Sequence, residues 1–268
     1  MATVYQIPTD NYDLIINFKV VMDKPVILRL RGYDAHPMHP NSVYFDRTFG
    51  APGALVKGVK QIQAPLPISP EKINIIAYDE ITGSQTGIRI EDVKVGPLDK
   101  KIVAFKTPED YEFFKFLEDF VKRCGFSPSG KYTSPSGKFK ILLSDKLYNK
   151  EGKQLTTPAR IFYPGGEMEF SKPKYDKMTI PIRMFIGLHE RCHFRLGHGN
   201  ENIKRDEATL KKMEGQADSY AMSIYLGMGY PKSEAIYAFT KVFTPVNERH
   251  AQDLVKRMDQ AVSFVKQF

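Results

Sequence analysis

His189-Glu190-Arg191-Cys192-His193 puts two imidazoles and a carboxylate within five residues, and Glu214 and Asp218 follow, Glu214 lying 21 positions after His193. On an α-helix, two histidines four residues apart are separated by about 40° in azimuth and about 6 Å along the axis. Both rings can then reach one Zn²⁺ at roughly 2.0 to 2.1 Å. Glu190 projects about 60° to the side of His193, so its carboxylate borders the metal without having to bind it, the placement of a base acting on an activated water. Glu214 and Asp218 repeat the four-residue spacing on a second helix. One can be the third ligand while the other accepts the free N–H of a liganding histidine. A chance H-E-x-x-H in a chain of this length and histidine content has a probability of roughly 0.01.

The flanking residues supply the two helices. Met178-Thr179-Ile180-Pro181 places a cap and a proline before the apolar run Ile182, Met184, Phe185, Ile186, Leu188, and Gly197 and Gly199 supply a stop. A second helical pattern begins near Asp206, with Ala208, Leu210, Met213, Ala217, Tyr220, Ala221, Ile224 and Tyr225 at apolar or small positions. A short polar loop joins them.

With H-E-x-x-H at His189, Glu190 and His193, and E-x-x-A-D-x-x-A at Glu214, Ala217, Asp218 and Ala221, the chain resembles the gluzincin zinc metallopeptidases. The likeness is specific only from His189 to Ala221; outside that stretch it is architectural. It implies Zn²⁺ held by His189, His193 and Glu214, Asp218 behind the ligands, and peptide-bond hydrolysis with Glu190 as general base and proton shuttle. It also implies a minimal zincin domain: a helix, a small sheet, the active-site helix, the third-ligand helix and a terminal helix. The related metzincin pattern does not fit, because Leu196 and Gly199 occupy the positions of its glycine and third histidine. His198, between two glycines, reads as part of a helix-ending turn. Hydrolysis needs a further donor to the oxyanion, and Tyr220, Tyr225, Arg249 and His250 all remain open. Cys192 reads as a small packing residue, and two cysteines allow at most one disulfide.

The rest of the chain reads as ordinary globular protein, 42% apolar and 26% charged. No run approaches the 18 or so apolar residues of a membrane span, and Met1-Ala2-Thr3-Val4 opens no signal sequence, so the expectation is a cytoplasmic protein without a membrane role. The net charge of +8 is uneven. Residues 1 to 105 carry 12 Lys plus Arg against 11 Asp plus Glu, and the remainder 27 against 20. The surplus lysines are scattered, which favours solvated helix faces over nucleic-acid binding.

The charge break coincides with a change of pattern, giving an α+β chain of two domains, 1-105 and 106-268. In the first, short β-type runs at 14–21, 26–30, 42–45, 59–63, 73–77, 87–90 and 102–105 suggest a β-sandwich or barrel, a binding or assembly module for a protein partner. His36 and His39 lie in a proline-rich surface loop. The second opens with a helix over 108–123, whose Phe113, Phe116, Leu117, Phe120 and Val121 form a core stripe. Two Ser-Pro-Ser-Gly-Lys copies read as turns. Strands are expected at 139–143, 159–163 and 167–171, and the resemblance makes Glu167 to Phe170 the candidate edge for an extended peptide substrate. A terminal helix over 247–266 presents Ala251, Leu254, Val255, Met258, Val262 and Val265. The alternative to a peptidase is a structural or assembly protein, for example virion-associated, built on a zincin-derived scaffold.

Overall fold

The computed structural model describes residues 4–39, 42–99, 107–123, 130–149, 151–242 and 248–267. The chain is mixed α+β and divides into two compact units, Met1–Lys100 and Lys101–Phe268. The expected strand over 102–105 and the 105/106 boundary lie outside the described residues.

The first unit contains β1 (Tyr5–Pro8), β2 (Leu14–Val26), β3 (Leu28–Asp34), β4 (Val43–Phe49), β5 (Val56–Leu66), β6 (Lys72–Asp79) and β7 (Ile88–Pro97). They form two antiparallel sheets, β1-β6-β3-β4 and β5-β2-β7. Period-two alternation buries one face of each: Ile16, Phe18 and Val20 on β2, Leu28 and Leu30 on β3, and Ile73 and Ile75 on β6. β1 is absent from the sequence reading because four residues ending in proline give too little alternation to register. The His36 and His39 loop is tied by Asp34, which accepts from the His36 backbone N–H at 2.9 Å and lies 2.6 Å from His39 Nδ1.

The second unit contains α1 (Pro108–Arg123), β8 (Lys131–Thr133), β9 (Lys140–Ser144), β10 (Ala159–Ile161), β11 (Met168–Ser171), α2 (Lys172–Tyr175), α3 (Ile180–Arg195), α4 (Glu207–Gly227), α5 (Lys232–Val242) and α6 (Glu248–Gln267). The aromatic stripe of α1 is core: Phe120 packs 4.9 to 5.5 Å from the rings of Tyr132, Tyr175 and Phe170. Gly187 lets α1 approach α3 closely, since a Cβ there would fall 2.4 Å from Leu117. Phe185 of α3 meets Tyr225 of α4 and Phe239 of α5, at 5.7 and 6.5 Å.

Three expectations need correction. The sheet order is β10-β11-β9-β8, so β11 is an interior strand and the edges are β10 and β8. Glu169 disguises this in the sequence, where a charge suggests exposure. It is buried and matched, accepting from Ser144 Oγ at 2.5 Å and from Arg160 Nε at 2.6 Å. Second, Val255 of α6 is 53% exposed; of the expected stripe Val265 is buried and Leu254, Met258 and Val262 are half-buried, and Ala261 and Arg257 join that side. Third, β8 and α5 are additional elements: β8 has three residues between the serine-rich turns, and α5 is a short run the periodicity reading passed over.

Candidate metal centre

Helix α3 is buried from Ile180 to His189. An element enclosed on every side cannot turn about its axis without exposing apolar surface, and this fixes the direction of the histidines at its C-terminal half. Its start follows the expected signals, Thr179 in extended backbone and Pro181 in the first turn, and its end is marked by Gly197 at φ +69°. α4 is capped by Asp206, whose carboxylate accepts from the Thr209 backbone N–H at 2.8 Å.

The two intervening residues of the motif serve packing. The Arg191 guanidinium lies 4.9 to 5.0 Å from the rings of Phe113, Phe139 and Phe194 and donates to Glu109 at 2.9 Å, tying α3 to α1. Cys192 is buried, and burial pushes its thiol well above the usual range, which suits an inert packing residue.

The Nε2 atoms of His189 and His193 are 3.0 Å apart. Glu214 reaches over from α4, its Oε1 3.4 Å from His193 Nε2 and its Oε2 3.6 Å from His189 Nε2. Tetrahedral coordination at Zn–N and Zn–O lengths would separate ligand atoms by roughly 3.3 to 3.4 Å, and the observed spacings straddle that figure. His189, His193 and Glu214 can therefore hold a metal ion. The donor set suits Zn²⁺ and also accepts other first-row dications.

Electrostatics prepare the donors. Desolvation, with the positive charge of His189, His198 and Arg257, drives His193 down to about 2, so its ring stays neutral with a lone pair available. Desolvation also pulls on His189, but Asp218 and then Glu214 and Glu190 outweigh it and raise its pKa. Asp218 Oδ1 lies 3.0 Å from His189 Nδ1, which turns Nε2 toward Glu214 and His193. Burial lifts the Glu190 carboxyl to about 7, opposed by His189 and reinforced by Glu214. A group near 7 can both take and return a proton at neutral pH.

A second layer surrounds these groups. Arg257 of α6 donates to Asp218 Oδ2 from Nε at 2.9 Å, and its Nη2 lies 2.7 Å from the same oxygen and 3.1 Å from Glu214 Oε2. His198 belongs to the turn after α3, as expected, but it also sets its Nδ1 2.9 Å from His193 Nδ1 and its Nε2 3.3 Å from Gln216 Oε1. Neither Arg257 nor the second role of His198 was visible in the sequence. Arg257 interrupts an apolar stripe, the one signal that could have marked it. Asp218→Asn should weaken metal binding roughly 10- to 100-fold by loosening the His189 ring. Competition against a chromophoric chelator measures this, and unchanged affinity would contradict the assigned role.

His189, Glu190, His193 and Glu214 all line one cavity of about 860 Å³. β10 runs along it with residues 155–158, and Tyr163, Ile186, Arg205, Leu210, Met213 and Leu254 complete the apolar and cationic parts of the wall. The chain matches no family model, no curated protein and no solved structure.

Of the oxyanion candidates, Tyr225 is buried in the core against Phe185 and Tyr230, and Tyr220 lies outside this cavity. The side chains of Arg249 and His250 lie outside the described residues. No described helix is long and apolar enough to cross a membrane.

Proposed function

We propose that the chain is a zinc-dependent metallopeptidase of gluzincin type, its second unit a minimal zincin domain and its first a binding or assembly module. The observation that carries this reading is the convergence of His189, His193 and Glu214 in the wall of a cavity shared with Glu190 and with a sheet edge.

A zinc ion in that position would supply Lewis acidity, polarising a carbonyl and bringing a water toward a pKa of about 7. The protein's own groups do the rest. His193 is held as a neutral donor, His189 is oriented by Asp218 at its Nδ1, and Glu214 lowers the net charge without closing the site, being 39% exposed at its side chain. Glu190 takes the proton of the attacking water and passes it to the departing amine. β10 offers main-chain groups at a sheet edge to an extended peptide, in the role the sequence reading gave to Glu167–Phe170. Arg160 holds that edge by its pair with Glu169 at 2.5 Å and by the contact of its guanidinium, 4.3 Å from the Phe162 ring.

The test is digestion of casein and of a quenched peptide library by protein loaded with zinc. Cleavage should stop with a chelator and return with added zinc. Cleavage indifferent to chelation, or none across the library, would overturn the proposal.

A further inference from the structure

We propose that Tyr163 is the hydrogen-bond donor to the substrate carbonyl oxygen as negative charge develops on it. The inference rests on the hydrolase reading above and adds to it a catalytic residue that lies outside both halves of the metal motif.

Hydrolysis of an amide puts charge on the carbonyl oxygen, and a fixed donor within the cavity stabilises it more than water does. Most donors that line this cavity are already committed. Arg257 is held between Asp218 and Glu214, and Lys211 lies 2.7 Å from Glu207 and 2.9 Å from Asp253. His198 turns one ring nitrogen to His193 and the other to Gln216. Arg205 donates to the His198 carbonyl at 3.2 Å, and the long chain behind its guanidinium is exposed. Tyr163 lines the same cavity, and among the described residues its hydroxyl has no hydrogen-bond partner.

Although the residue is 36% exposed, its ring is held in place, which a donor to a transition state requires. It stacks on Phe194, the residue after His193, at 6.1 Å between centroids and 18° between planes. Gly199 forms its seat, since a Cβ there would lie 1.9 Å from the Tyr163 ring. Gly166, at φ +71°, also lies against Phe194, where a Cβ would come within 2.9 Å of that ring. Two glycines and a phenylalanine thus fix the phenol in the wall that carries the ligands. Its hydroxyl keeps its proton: burial raises it to about 12, and the charges of Glu190 and Glu214 act the same way against Arg205. A phenol that stays protonated through the neutral range can donate at every pH where the enzyme works.

Tyr163→Phe removes the donor and keeps the stacked ring, so metal content serves as a control on the fold. The expected result is a fall of roughly 100- to 1000-fold in kcat with KM within about threefold of the parent. A second reading is independent of turnover: a peptide phosphoramidate, which carries tetrahedral charged oxygens, should bind the variant at least about tenfold more weakly by calorimetry, while a plain product peptide binds both alike. Gly199→Ala, which pushes the ring aside, should lower kcat in the same direction at unchanged metal content. An active parent whose Tyr163→Phe variant keeps its kcat and its phosphoramidate affinity would overturn the assignment alone. A zinc-loaded parent that hydrolyses no peptide would overturn the hydrolase reading, and this assignment with it.

Discussion

Glu190→Gln should bind metal as the parent does and lose roughly 100- to 10,000-fold in kcat/KM for peptide cleavage. The amide keeps the shape of the carboxylate but cannot take a proton. Glu190 stands beside the ligands on α3, and the ligand positions within 4.8 Å of one another are filled by His189, His193 and Glu214. Its removal therefore leaves the donor set intact. The burial that lifts its carboxyl to about 7 is a cost for a group serving only structure, because the ionised form is disfavoured in the site. A scaffold with a structural metal would be indifferent to the change, and so a variant that cleaves at the parental rate would return the reading to a structural or assembly protein.

His193→Ala and Glu214→Ala should each take the protein from about one tightly held metal ion to almost none, since a site of three protein ligands keeps only two. The Glu214 case is the sharper one. With its carboxylate gone, Arg257 Nη2, which lies 3.1 Å from Glu214 Oε2, would face the two imidazoles with its charge less matched and repel a cation. Asp218 cannot step in, because its Oδ1 faces Nδ1 of His189, on the ring side away from the shared Nε2 atoms. Equal metal affinity in Glu214→Ala and parent, measured by chelator competition, would mean that the third ligand is another group.

The candidate metal centre was largely legible because its geometry is local. Residues four apart on a helix share a face whatever the rest of the chain does, and Pro181 and Gly197 bracket that helix in the sequence as they do in the structure. What spacing left open was the division of labour between Glu214 and Asp218; the distances group Glu214 with the two Nε2 atoms, as a set that could hold a metal ion, and set Asp218 beside Nδ1 of His189. Partners from distant segments were not legible. Arg257 comes 39 residues after Asp218, and its break in the α6 stripe does not say which groups it meets. Tyr163 stands in a loop, where no periodicity operates, and its place depends on Phe194 and Gly199 coming to it from α3 and the following turn.

The fold shows the same division. The α1 stripe and the β2, β3 and β6 alternation announce themselves because burial repeats at the period of the element. The order of strands in a sheet is a non-local property. The resemblance puts β11 at the edge, while its position is set by parallel pairing with β9 on one side and antiparallel pairing with β10 on the other. The buried Glu169, paired with Arg160 and accepting from Ser144, is a second property of this strand that the sequence does not show.

The most direct test of the central claim is the metal content of the protein purified without added metal, read by elemental mass spectrometry beside His193→Ala. The account predicts about one zinc per parent chain and close to none in the variant. Parent protein that carries no zinc and takes up none when it is supplied would contradict it.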